Sequence, residues 1–183
     1  FAVTKIIVVG HEFSNYQIIE KLLHTCGMAS ALPSKRESMS AIEIDAALSK
    51  VNIAVPNQKA LSDNHIMRQL QVSPIWNGLA MDLFLGNINQ SLWGWADSQA
   101  LPLLNYWRDM DESVYFALVY EQPHSILINN QRILDQDSIE RKLQEWVDYN
   151  ESLLQFYLNN QNRCLLVHSR QARLSSSSYV RQL

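Results

Sequence analysis

Glycine is scarce in this chain, with five in 183 residues, and cysteine scarcer, with two. Close backbone approach to a phosphate usually draws on several glycines, so a glycine-rich phosphate loop is excluded. Two thiols make no disulfide framework. Cys164 lies in an apolar run and Cys26 ends a helical pattern, so both are expected as buried thiols in a reducing cytoplasm. Positive charge is short as well: 15 Lys and Arg stand against 18 Asp and Glu, both signs interspersed. With no basic stripe, neither nucleic acid nor an anionic membrane surface is an expected partner. The longest apolar stretch, residues 75–88, is broken by Asn77, Asp82, Gly86 and Asn87 and is too short to span a bilayer. His24, His65, His124 and His168 have no partners at metal-ligand spacing, so no metal site is expected.

What is present is a chain that is 47% apolar and long enough for one domain with a real core. Residues 5–9, 114–120 (VYFALVY) and 163–168 (RCLLVH) are continuous apolar runs, as a parallel sheet covered on both faces requires. Residues 91–96 (SLWGWA) read as a weaker fourth strand. Helical patterns lie between them: one from Ser14, with Ser14 and Gln17 as a capping box, one over 38–50 with Ile42, Ala46 and Met39 inward, and one over 74–88. The third carries Ile75, Trp76, Leu79, Leu83 and Phe84 on one face. Two more cover 98–110, with Pro102 in the first turn or at a kink, and 138–160, the clearest, with Leu153 and Leu154 among its inward residues. The expected fold is a three-layer α/β/α domain over residues 1–168 with a short parallel sheet, followed by a Ser/Arg-rich extension over 169–183.

The first strand, loop and helix have the layout of a phosphate-binding loop. Backbone amides and a helix N-terminus at the end of a buried strand favour an anion, so a nucleotide or another anion is expected at Gly10, His11, Ser14 and Asn15. Yet the loop reads His-Glu-Phe-Ser-Asn, with no Lys or Arg and with Glu12 where an anion would lie. His11 and Glu12 read either as an acid/base pair beside a different substrate or as two solvated loop residues. Ser14 reads as an anion contact or a helix cap, and Asp97 as a site residue or the cap of the next helix. Trp93 and Trp95 are either a substrate-facing pair or core.

In order along the chain, these motifs resemble the sulfotransferase family, most closely its bacterial members. Trp93, Gly94, Trp95 and Asp97 fall in register with a W-G-W-K-D-P motif. Trp107 and Arg108 match the W-R that ends the following helix, and Leu118, Val119, Tyr120 and Pro123 match an R-F-V-L-V-Y-R-x-P strand. Trp146, Tyr149 and Asn150 sit where the family has W-x-x-Y-N, and residues 163–168 match its R-C-L-L-V-x strand. Upstream, Val8, Val9, Gly10, Leu22 and Leu23 fit G-x-x-R-S-G-T-S-x-L-x-x-L-L. The resemblance implies a P-loop-like α/β fold and a sulfuryl donor, 3′-phosphoadenosine-5′-phosphosulfate (PAPS). It also implies a donor site made of the first loop, the residues after the W-G-W strand, and the residue after the third strand with a later serine.

At those positions the chain has lost charge. The loop's basic position falls near Phe13, the lysine position is Ala96, and the arginine position is Glu121. Ser14 matches the loop serine, and Ser125 is the candidate for the later one. A charge pair at contact distance is worth about 4 kcal/mol at an effective dielectric near 20, so one reversal and two neutralisations weigh heavily against a polyanionic donor. Three readings follow from this. One is a sulfotransferase-like protein with a degenerate donor site that works through binding. Another is an active PAPS-dependent sulfotransferase on a small-molecule or glycan acceptor, re-supplied with charge by Lys35, Arg36 or the Arg-rich tail. The last is a divergent transferase or hydrolase using His11 and Glu12.

Overall fold

The computed structural model describes residues 3–51, 69–124 and 135–175. Five parallel strands form one sheet in the order β2–β3–β1–β4–β5. They are β1 (Thr4–Gly10), β2 (Ala29–Ser30), β3 (Leu92–Ala96), β4 (Val114–Tyr120) and β5 (Cys164–His168). The expected α/β architecture with a short parallel sheet is the one observed. The two-residue β2 carries no apolar run and has no sequence signal of its own.

β1 lies at the centre and is paired on both sides, Ile7 standing beside Trp95 on β3 and beside Phe116 on β4. Its four aliphatics divide by strand alternation. Ile7 and Val9 face a core built with α2 (Ala41–Lys50), α3 (Asn77–Gly86), α4 (Leu104–Met110) and α5 (Gln136–Asn159). Val8 faces a smaller core built with α1 (Tyr16–Thr25) and α6 (Ser169–Leu174). The chain therefore leaves β1 toward one face and leaves β3 and β4 toward the other. Loops that part in this way open a crevice at the carboxyl ends of the strands.

The larger core is aromatic. Trp93 and Trp95 stack at 5.9 Å, and Trp107 meets Trp95 edge-on at 5.2 Å. Both β3 tryptophans are buried, so they are core and not a substrate-facing pair. Gly94 lies between them and cannot be anything larger: a Cβ there would stand 1.9 Å from the Ile6 carbonyl oxygen on β1.

Several sequence expectations are corrected. α1 begins at Tyr16 behind Asn15, which is left-handed (φ 56°) and makes no side-chain cap, so the Ser14–Gln17 capping box does not form. The capping box of α2 is instead Ser40 with Glu43, three residues later than the start expected at Ser38, whose φ of 54° is not helical. This shift turns Ile44, Asp45 and Leu48 inward and leaves Ile42 and Ala46 exposed. Pro74–Trp76 is a 3-10 turn ahead of α3, with Ile75 and Trp76 exposed rather than packed. Pro102 breaks residues 98–110 into a 3-10 helix (Ser98–Leu103) and α4. On α5, Leu154 faces outward while Tyr149, Leu153 and Phe156 are buried. The segment from Ser169, expected as an extension, opens with α6, whose Ser169 and Ala172 are buried. Cys26 is exposed, not buried. Cys164 is half-buried, and burial pushes its thiol up to about 12. Among the described residues no helix is long and apolar enough to cross a membrane.

The Gly94 contact yields a stability test. Gly94→Ala must part β3 from β1 and is expected to cost more than about 3 kcal/mol in urea unfolding. Gly78→Ala on α3, where a new Cβ meets nothing within 4 Å, is expected to leave stability unchanged or raise it by up to about 1 kcal/mol.

Candidate functional site

The carboxyl ends of β3, β1 and β4 bring Asp97, the loop after Gly10, and Glu121 to one edge of the sheet. The loop is folded on itself. The Ser14 amide donates to the His11 carbonyl at 2.8 Å, and the Phe13 amide donates to His11 Nδ1 at 3.3 Å. Two amides that an anion loop would present are thus already engaged. Gly10 permits this closure, since a Cβ there would fall 2.4 Å from Ser14 Oγ and 2.9 Å from the Val119 carbonyl. Ser14 is buried, and its hydroxyl has no hydrogen-bond partner. Asn15 supplies the left-handed turn and accepts from the Ile18 amide through its carbonyl at 3.0 Å.

His11 is buried, edge-on to Tyr149 at 5.3 Å and tilted on Phe13 at 5.6 Å. Desolvation lowers its pKa, opposed by the charges of Glu12 and Glu145, so the ring is neutral around neutral pH. With Nδ1 accepting the Phe13 amide, its proton sits on Nε2. Glu12 is exposed and acts on His11 through charge; no hydrogen bond joins the two.

Asp97 is the N-cap of the 3-10 helix: its Oδ1 accepts from the Gln99 amide at 2.9 Å, and its own amide donates to the Val8 carbonyl of β1 at 3.0 Å. Behind it lies Asp45, which sequence reasoning missed by assigning a charged residue to the outer face of α2. Asp45 is fully buried. Its Oδ2 accepts from Trp95 Nε1 at 2.9 Å and its Oδ1 from Trp107 Nε1 at 2.7 Å. The two aspartates interact directly. Burial raises both pKa values, and the neighbouring Asp97 charge lifts Asp45 well above the usual carboxylate range. Asp97 Oδ2 is buried and finds no donor among ordinary N–H and O–H groups. A proton on Asp45 is that donor, so the pair holds one proton between two oxygens. Tyr149 closes the arrangement from α5, donating to the Ser98 carbonyl at 2.7 Å.

Glu121 is also inward. Its Oε2 accepts from Ser169 Oγ at 2.5 Å, its Oε1 from the Gln122 amide at 3.1 Å, and His168 Nε2 lies 3.6 Å away. Burial opposes its charge, but these bonds and the nearby His168 and His124 hold the carboxyl below the usual range. Its partners come from β5 and α6, not from a loop lysine.

Cations sit elsewhere. Arg36 is largely exposed, with Nε 3.9 Å from Asp82 on α3. Lys5 reaches Asp111 and Ser113 at the opposite edge of the sheet, and Arg163 donates there to the carbonyls of Val114, Asp111 and Arg108. The positive charge that does approach the loop is Lys142 on α5, 5.5 Å above the Phe13 ring. No local motif signals it, because α5 and the loop meet only through the fold. Of the expected site residues, Gly10, His11, Ser14, Asn15 and Asp97 share one edge; Ser125 lies outside the described residues. Among the described residues no group of three or more His, Cys, Asp or Glu could hold a metal ion. No protein-family model matches this chain, and no curated protein matches it significantly.

The shared proton sets a pH test. A raised folded-state pKa contributes stability that is fully present below the unfolded aspartate value of about 4 and is lost as pH rises through the folded value. Asp97→Asn keeps an acceptor for the Gln99 amide and offers Asp45 an N–H in place of a second carboxyl. Relative to the wild type, this variant is expected to gain stability steadily from pH 5 to pH 9 in urea unfolding. Parallel pH profiles would refute the shared proton.

Proposed function

We propose that this chain is a sulfotransferase-like protein whose polyanionic donor site has closed, and that it works by binding rather than by group transfer. One observation carries the reading. The side chains that end β1, β3 and β4 are bonded inward, His11 to the Phe13 amide, Asp97 to the Gln99 amide and Glu121 to Ser169. Two of the three are carboxyl groups at positions where the resemblance leads one to expect a contact to phosphate or sulfate. Transfer of a sulfuryl group, like that of a phosphoryl group, depends on positive charge fixed around the moving group. Here the fixed charges are of the wrong sign. The free thiols Cys26 and Cys164 suit a reducing cytoplasm.

A specific feature favours a second reading, an active sulfotransferase with relocated charge: Lys142 stands beside the loop. Chemistry at His11 with Glu12 has less support, because Nδ1 is occupied and Glu12 is not bonded to the ring.

Calorimetric titration with 3′-phosphoadenosine-5′-phosphate separates these readings. The expected result is no binding tighter than about 10 µM, a free energy of about −7 kcal/mol. Tighter binding that falls at least tenfold in Lys142→Ala would overturn the closed-site reading and install the relocated-charge one.

A further inference from the structure

On the outer side of the larger helical layer lies a cleft of about 580 Å³, walled by the segment leading into α3 and by α4. It shares no residue with the loop after Gly10. Its walls are pinned. The Leu70 amide donates to the Pro102 carbonyl at 2.8 Å, Gln69 Nε2 to the Leu101 carbonyl at 3.0 Å, and the Asn105 amide to Gln69 Oε1 at 3.2 Å. Across the cleft, the Tyr106 hydroxyl donates to Asn77 Oδ1 at 3.2 Å. A volume of this size lies within the range of small-molecule sites.

The lining selects a ligand class. Arg108 is the cation of the cleft, and it is spent: Nε and Nη2 donate to Asp109 at 2.8 and 3.2 Å, and Nη1 donates to Asn160 at 3.1 Å. A charged ligand therefore finds no free counter-charge. The Asn105 and Gln71 carboxamides and the Asn77 Nδ2 are without partners among the described residues, so an apolar ligand would bury polar groups unsatisfied. Each free carboxamide offers a donor beside an acceptor, and the Tyr106 oxygen, already donating, still has lone pairs to accept with. Burial pushes the Tyr106 pKa up to about 12, so its hydroxyl stays protonated. Leu70, Val72 and Met110 supply apolar surface between the polar groups. An extended peptide would need a strand edge to pair with, and a helix and a loop form these walls.

We propose that this cleft is a binding site for a short neutral saccharide, with the Asn105 and Gln71 carboxamides and the Tyr106 hydroxyl reading paired sugar hydroxyls over the apolar floor. The probes are maltotriose, cellotriose and chitotriose, with a sulfated disaccharide and an uncharged Gly/Ser peptide as competitors, read by calorimetry and saturation-transfer NMR. At least one neutral trisaccharide is expected to bind with Kd below about 1 mM. Asn105→Ala and the exposed Gln71→Ala are each expected to weaken it at least fivefold, with thermal unfolding unchanged for Gln71→Ala. No neutral saccharide bound at about 10 mM would overturn the assignment, as would binding indifferent to both variants, or tighter binding of the sulfated probe or the peptide. The outcome is independent of the nucleotide titration, because the two sites share no residue.

Discussion

The structure is organised around a carboxyl group placed where charge is most costly. Asp45 is wholly buried, and it accepts from one indole on β3 and another on α4. Through these bonds α2, the sheet and α4 are locked in one relative position, which hydrophobic packing alone would leave free to slide. An ionised carboxylate at that depth would face a desolvation penalty that two neutral donors do not offset. Sharing a proton with Asp97 removes most of that penalty and carries the constraint outward. Asp97 in turn caps the 3-10 helix and ties β3 to β1. The interior and the edge of the sheet are thus parts of one hydrogen-bonded chain.

That linkage explains the character of the edge. In an anion site, backbone amides and side chains are held open toward solvent and await a ligand. Here the corresponding groups look inward: Ser14 fills the space left by Gly10, His11 takes up an amide, and Glu121 belongs to β5 and α6. The scaffold keeps the geometry of parting loops while its polar groups are committed to holding the fold.

Much of the fold was legible because buried parallel strands need continuous apolar runs, and β4 carries seven residues that can be read without structure. The helix faces were less legible wherever the start of a helix moved. On α2 the left-handed Ser38 delays the first turn, and every inward position shifts with it. Asp45 was hidden for a second reason. Periodicity places charged residues outside, and the indoles that make its burial tolerable lie 50 and 62 residues away. At the site, the lost charges at Ala96 and Glu121 were visible as residue types. What Glu121 does instead was not, because Ser169 reaches it only once β5 lies beside β4.

The central position of β1 has a consequence for how the protein is made. β1 is the first strand to be synthesised, yet it pairs through Thr4 with Leu92 and through Lys5 with Val114. Both edges of the most apolar strand therefore stay unpaired on the nascent chain until roughly the first two-thirds of the protein has been translated. Contacts this distant in sequence make folding slow and leave strand edges open to wrong pairing. The protein's exposure to aggregation is thus greatest on the ribosome, and translation speed through β3 and β4 governs its yield.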